Sequence, residues 1–363
     1  MKDGDPSPRP SPQGGAGVPG IPLPRRGRGQ GEGAGGEGAG GEGAGDEGAG
    51  DEGVTIGVDV GGTTVAAGLV AADGRVLEHH QAPTHARGPG TALETIGELL
   101  ERLCEQARAR GVAVTGVGVG VPGITDAERG TVGVDIHYAP ELAQVPLGAM
   151  LAGRLGVPVF VDNDVNALAL AEWIWGAGRG ARSLVMLALG TGVGGGIILD
   201  GRLHRGQSGF GGELGHVPID FDGPPCICGG RGCLKAYVSG TDIGRRAGER
   251  LGRPVGAAEV FRLAADGDAA ADAVVEEVCT ALGAGLAIIV NGLNPERVLL
   301  AGSVAKSLRP LEARLRAALA RYAFAEALRT THLEILTLDK DATVRGGAAL
   351  VHYETQRRRP TTP

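Results

Sequence analysis

Apolar residues fall on alternate positions at Val54, Ile56, Val58 and Val60, the period of a half-buried strand. Gly61-Gly62 then turns the chain into a second apolar run, Val65–Val70, which predicts a returning strand. Thr91, with Glu94 three residues on, predicts a capping box, and Leu93, Ile96, Leu100 and Leu103 form the apolar stripe of a helix that Gly111 ends. Further strands are predicted at Val112–Val121 and Val157–Val161, followed by a helix from about Asp164 to Trp175. The second half opens with strands Ser183–Leu189 and Gly194–Leu199. It then turns mostly helical, with strands at Arg297–Ala301 and Leu333–Leu338. Strands interleaved with helices predict an α/β fold in two halves with a cleft between them.

Before Val54 the pattern vanishes. Residues 1–53 are rich in Gly and Pro, repeat Gly-Glu-Gly-Ala-Gly from Gly31, and hold almost no large apolar side chain, so they are expected to be a disordered tail. They show neither helical periodicity nor a basic recognition helix, which argues against DNA binding. The expected organisation is this tail, an N-terminal α/β domain over 54–168, a C-terminal α/β domain over 169–342, and a C-terminal helix and tail over 343–363 packing back toward the N-terminal domain.

Composition narrows the function. A formal net charge of -7 gives no reason to expect nucleic acid or an anionic membrane as partner. The N-terminus lacks an apolar signal-peptide core, and the run Ala284–Val290 reads as too short to cross a bilayer, so a cytoplasmic protein is expected. Lys occurs only at Lys2, Lys235, Lys306 and Lys340, which singles out any Lys at a motif position. Cys104 and Cys279 lie in apolar helical patterns and read as small buried hydrophobes.

The other three cysteines cluster. His216, Cys226, Cys228 and Cys233 fall within eighteen residues and supply the four ligands of a tetrahedral structural Zn²⁺ site. The glycines between Cys228 and Cys233 let the backbone turn tightly enough to bring the thiolates together.

Two glycine-rich turns follow strands. In Asp59-Val-Gly61-Gly62-Thr63-Thr64, backbone N–H groups and the Thr63 hydroxyl suit phosphate oxygens, and Asp59 suits a hydrated Mg²⁺; an ordinary Gly-Gly hairpin is the alternative. Gly190-Thr191-Gly192-Val193-Gly194-Gly195-Gly196 is a second loop with many exposed amides. Neither fits the Walker or dinucleotide pattern, but two such loops facing one cleft point to a nucleoside triphosphate. Asp162-Asn163-Asp164-Val-Asn166 ends a strand and starts a helix. It reads either as a helix N-cap or as a general base held at the cleft.

Taken together, Asp59–Thr64, Val121-Pro122-Gly123, Asn163-Asp164, Gly190–Gly196, Glu213-Leu-Gly-His216, the Cys knuckle and Asn294-Pro295-Glu296 leading to Val298–Ser303 resemble the ROK family of sugar kinases and sugar-responsive repressors. The resemblance covers about Val54 to Tyr353. It implies the two-domain actin-like ATPase (ribonuclease H-like) fold with an interdomain cleft. It also implies an ATP- and Mg²⁺-dependent kinase of glucokinase type, acting on the primary 6-hydroxyl of a glucose-like hexose. An aminosugar such as N-acetylmannosamine or a cyclitol is the runner-up substrate, and a non-catalytic sugar sensor is the alternative class. Dimers are common among such proteins, which makes a homodimer a candidate assembly that the sequence itself does not decide. By resemblance, Asp164 is the catalytic base; Asn163, Glu213, His216, Gly123, Glu141 and Lys235 face the sugar. Asp59, Gly61, Gly62, Thr63, Thr64, Gly190, Thr191, Gly192, Gly194, Gly302 and Ser303 hold ATP. Lys235 departs from the pattern, standing where the family usually has a sugar-contacting Glu. It replaces an acceptor with a donor, and a pairing of Lys235 with Glu141 is one expected outcome.

Overall fold

The computed structural model describes residues 53–134 and 139–359. The expectation for residues 1–53 thus lies outside the described residues except at Gly53, as does that for 360–363. The N-terminal half contains β1 (Val54–Val60), β2 (Thr64–Val70), β3 (Val76–Pro83), α1 (Ala92–Ala109), β4 (Val114–Val121), a small hairpin of β5 (Thr125–Asp126) and β6 (Thr131–Val132), α2 (Leu147–Leu155), β7 (Val159–Asn163) and α3 (Asp164–Ile174). The C-terminal half contains β8 (Leu184–Leu189), β9 (Val193–Leu199), β10 (Arg202–Leu203), α4 (Lys235–Val238), α5 (Gly240–Leu251), α6 (Ala257–Ala265), α7 (Ala269–Leu293), β11 (Arg297–Ala301), α8 (Ser303–Leu308), α9 (Glu312–Ala320), α10 (Ala325–Thr330), β12 (His332–Ile335) and α11 (Ala342–Arg358).

Each half is built on the same sheet. The orders are β3-β2-β1-β4-β7 and β10-β9-β8-β11-β12. In both, an antiparallel meander of three strands is extended by two parallel strands. The repeated topology is the two-domain, ribonuclease H-like α/β fold expected from the sequence.

The helices that end the two halves join them. α3 packs on β8 and β9 of the second sheet, α11 packs on β1 and β4 of the first, and the two helices pack on each other. The approach of α11 to the first sheet needs glycine: a Cβ on Gly57 would stand 1.8 Å from the Val344 carbonyl oxygen, and one on Gly118 would stand 1.9 Å from that of Gly347. The core of the N-terminal half gathers Ile56, Val58, Val119, Ile96, Leu100 and Leu103. That of the C-terminal half centres on α7 against α5, α6 and α9.

Two expectations change, and one strand is added. The run Ala284–Val290 is the end of a 25-residue helix, α7, which is long and apolar enough to cross a membrane. Two thirds of its most apolar stretch is buried inside the protein, which accounts for its composition. The capping box at Thr91 does not form: Thr91 Oγ1 donates to the Gly88 carbonyl at 2.7 Å, and Glu141 Oε1 accepts the Ala92 N–H at 3.2 Å. β3 escaped the pattern because VLEHHQAP does not alternate, as befits an edge strand with one flank in solvent.

Candidate active site

Register places the chemistry. Asp59 of β1 pairs with Gly120 of β4, which pairs with Asp162 of β7, so three parallel strands end level with one another. Open α/β sheets bind ligands beyond such C-terminal strand ends. A Cβ on Gly120 would lie 3.2 Å from the Asp164 Cα, so glycine there lets the junction of β7 and α3 sit against the sheet.

The two readings of the Asn163-Asp164 pair divide between the two residues. Asn163 is the N-cap of α3: its Oδ1 accepts N–H bonds from Val165 at 2.9 Å and Asn166 at 3.1 Å, and its Nδ2 donates to the Gly123 carbonyl at 3.1 Å. One Nδ2 hydrogen is left for a ligand. Asp164 is the first helical residue, and its Oδ1 shares the Val165 N–H at 2.8 Å.

Burial pushes the Asp164 carboxyl up from 3.8 to about 7. The negative charges of Asp59 and, less, Glu213 add to this, and the Val165 N–H opposes it. Asp59 is also raised by burial, against a hydrogen bond from Thr343, and Glu213 is raised by burial. Among the described residues no Lys or Arg is ion-paired with any of these three carboxylates; Glu213 Oε2 instead lies 3.9 Å from His216 Nε2. Three carboxylates gathered without a compensating cation fit a site for Mg²⁺ and its phosphates, with Asp59 the donor nearest β1.

The glycine loops differ in use. The Gly61–Thr64 turn closes by Gly61 N–H to the Thr64 carbonyl at 2.9 Å. Buried Thr84 braces it from below, its hydroxyl donating to the Gly61 carbonyl at 2.7 Å and its N–H to that of Thr63 at 3.0 Å. Gly190 and Gly192 have open space where a Cβ would stand. The α5 N-terminus anchors this loop: the Gly240 N–H donates to the Gly190 carbonyl at 2.7 Å, and Thr241 Oγ1 to that of Thr191 at 3.0 Å. Gly194 serves packing, since its Cβ would fall 2.6 Å from Val165 Cγ2 of α3. Gly302, at φ +100°, and exposed Ser303 begin α8 beside this loop; a Cβ on Gly302 would meet the Leu189 carbonyl oxygen at 2.4 Å.

The knuckle forms one group. The four ligand atoms of His216, Cys226, Cys228 and Cys233 lie within 4.8 Å of one another, with Cys228 Sγ to Cys233 Sγ at 3.6 Å and Cys226 Sγ to His216 Nδ1 at 3.4 Å. Tetrahedral Zn²⁺ with ordinary bond lengths separates two thiolates by about 3.7 Å and a thiolate from an imidazole nitrogen by about 3.6 Å. The residues therefore fit the ion.

Lys235 does not meet Glu141. Its Nζ lies 3.1 Å from Asp242 Oδ2 across the α4–α5 corner, whereas Glu141 Oε1 caps α1 and stands 3.2 Å from His85 Nδ1. The nearer carboxylate wins because Lys235 opens α4 and Asp242 lies in the first turn of α5.

A family profile described as "ROK family" matches residues 55–354. The glucokinase of Thermotoga maritima is 36% identical over 82% of this chain and 96% of its own length. The crystal structure of a ROK hexokinase from Thermus thermophilus superposes with a TM-score of 0.73 at 35% identity, covering 84% of this chain and 99% of that one. A ROK family glucokinase from Streptomyces griseus, crystallised with glucose and AMPPNP, gives a TM-score of 0.66 at 32% identity over 82% of this chain and 99% of its own.

Proposed function

This chain belongs to the ROK family, and we propose that it is an ATP-dependent sugar kinase of glucokinase type, transferring a phosphoryl group to the primary 6-hydroxyl of a glucose-like hexose. The observation that carries this is the Asp164 carboxyl. It is freed from capping by Asn163, tuned to about 7, and placed where three parallel strands end.

In this reading Asp164 accepts the hydroxyl proton as the γ-phosphoryl arrives, and a base tuned near the working pH does this efficiently. Glu213 and His216 Nε2 orient the sugar hydroxyls, with the remaining Asn163 Nδ2 hydrogen beside them. The Gly61 and Gly190 N–H groups close their own turns, so the N–H groups of Gly62 and Thr63 and of Thr191 and Gly192 face the phosphates, and Gly302-Ser303 lies toward the adenosine. Bound Mg²⁺ would neutralise charge on the transferring phosphates, and Asp59 is the residue set to hold it or its water shell. Closure of the two halves over the sugar excludes water and limits ATP hydrolysis.

Cys226, Cys228, Cys233 and His216 Nδ1 would hold a structural Zn²⁺, which fixes the His216 ring. The Asp242 pairing favours a glucose-like substrate over an aminosugar or cyclitol, because it engages the Lys235 ammonium inside the protein. A coupled ADP-release assay with a panel of hexoses, aminosugars and cyclitols tests the reading. Turnover with glucose supports it, and no sugar-dependent ADP release by the wild-type protein would overturn it.

A further inference from the structure

Beside the base lies a second carboxylate that the chemistry above does not use. Asp162 sits at the end of β7 with its side chain 2% exposed. Its Oδ1 accepts the Asn163 N–H at 2.7 Å and the Asn166 Nδ2–H at 3.0 Å, so it grips the chain on both sides of Asp164. Its Oδ2 accepts from Arg205 Nε at 2.6 Å.

Arg205 belongs to the other half, two residues past β10. Its Nη2 donates to Glu354 Oε1 of α11 at 2.7 Å, and Glu354 is 3% exposed. Its guanidinium lies 5.7 Å from the centre of the Tyr353 ring, whose hydroxyl accepts the Leu203 N–H at 3.0 Å. Arg205 also opens the segment that leads to Glu213: its carbonyl accepts the Gly211 N–H at 2.8 Å. One half-buried guanidinium thus joins the Asp164 junction, the Glu213 loop and the helix crossing between the halves.

We propose that Arg205 is a positioning residue for phosphoryl transfer. It locks Asp162 and Glu354 into a fixed corner of the cleft and so sets the separation of the base Asp164 from the sugar-binding Glu213. Glu354 Oε2 is held separately by Arg357 at 2.8 Å and Arg358 at 3.4 Å, so it keeps cationic partners without Arg205, and a largely buried ion cluster is a poor source of stability, since well-packed uncharged residues usually serve as well. Its geometric effect is larger, because misplacing reacting groups by about 1 Å costs roughly a hundredfold in rate. The planar fork of arginine spans two carboxylates that lysine, a point donor, reaches only one at a time.

This inference rests on the kinase reading, and its test separates the two. Arg205→Lys and the uncharged triple Asp162→Asn/Arg205→Met/Glu354→Gln are compared with wild type for kcat, KM for glucose and ATP, and Tm. Both variants are expected to keep a Tm within a few degrees of wild type and a KM for ATP within about threefold, while kcat falls by roughly 10- to 100-fold. A wild-type kcat in both overturns the positioning role. A kcat loss matched by an equal rise in KM for ATP, or by collapse of Tm in both, reduces Arg205 to a structural part and also overturns it. A wild-type protein that phosphorylates no sugar overturns the kinase reading itself, and this inference with it.

Discussion

His216 turns its two ring nitrogens toward different partners, Nδ1 lying 3.4 Å from Cys226 Sγ and Nε2 3.9 Å from Glu213 Oε2. One imidazole thus ties the knuckle to Glu213, the proposed sugar-binding carboxylate. A metal on Nδ1 fixes the tautomer and leaves Nε2–H as a donor beside a carboxylate.

Removing zinc should therefore weaken sugar binding more than ATP binding. Metal analysis after extensive dialysis is expected to find one zinc per chain. Cys228→Ser should lower that content and the Tm, because metal affinity contributes to folding free energy. The KM for glucose should rise while that for ATP changes little. Absence of zinc, with all three thiols alkylated in the native protein, would remove the knuckle from the account.

The glycines of the second loop should separate by what surrounds them. Gly190→Ala and Gly192→Ala add a methyl to open space, so they should fold with near-wild-type Tm and lose ATP affinity. Gly302→Ala forces a side chain to φ +100° and onto the Leu189 carbonyl, and its Tm should fall markedly. Equal Tm losses at Gly190 and Gly302 would contradict the division.

Lys235→Glu alone would set a carboxylate against Asp242 and should lower Tm. Combined with Asp242→Asn, it should keep the fold. It should then raise kcat/KM for glucose by up to about tenfold, the equivalent of ~1.4 kcal/mol in transition-state binding. Unchanged glucose kinetics in the double variant would show that position 235 does not face the sugar.

The pH dependence follows from Asp164. As a base it acts deprotonated, so kcat/KM for glucose should fall as pH drops through about 7. For stability the sign is opposite to that of an ordinary ion-paired carboxylate. The folded protein holds this proton more tightly than the unfolded chain, so stability declines as pH rises between 3.8 and about 7. Asp164→Asn should consequently melt a few degrees above wild type at pH 8, and a lower Tm there would show that the charged form is stabilised by the fold.

Much of this architecture was legible in the sequence. The alternation Val54–Val60, the stripe of α1 and the paired strands around Gly190–Gly196 each follow from local periodicity, and the members of the Cys/His cluster lie close along the chain. Residues whose partners are distant were not legible. Arg205 finds Asp162 and Glu354 at separations of 43 and 149 residues, and no spacing rule reaches that far. Thr84 looks like any strand-end threonine until it braces the Gly61 turn. Glu141 caps α1 from 49 residues away, displacing the local box that Thr91 and Glu94 suggest. Gly194 sits in a phosphate-like run, yet its neighbour is a valine on α3.

The most direct test of the account is the steady-state kcat of Asp164→Asn with glucose and ATP, measured beside glucose binding by calorimetry. A loss of roughly 10²–10⁴ in kcat with glucose affinity largely kept is expected, since the variant removes the proton acceptor and leaves Asn163, Glu213 and His216 in place. A variant that turns over at close to the wild-type rate would show that Asp164 merely starts a helix, and would contradict the mechanism.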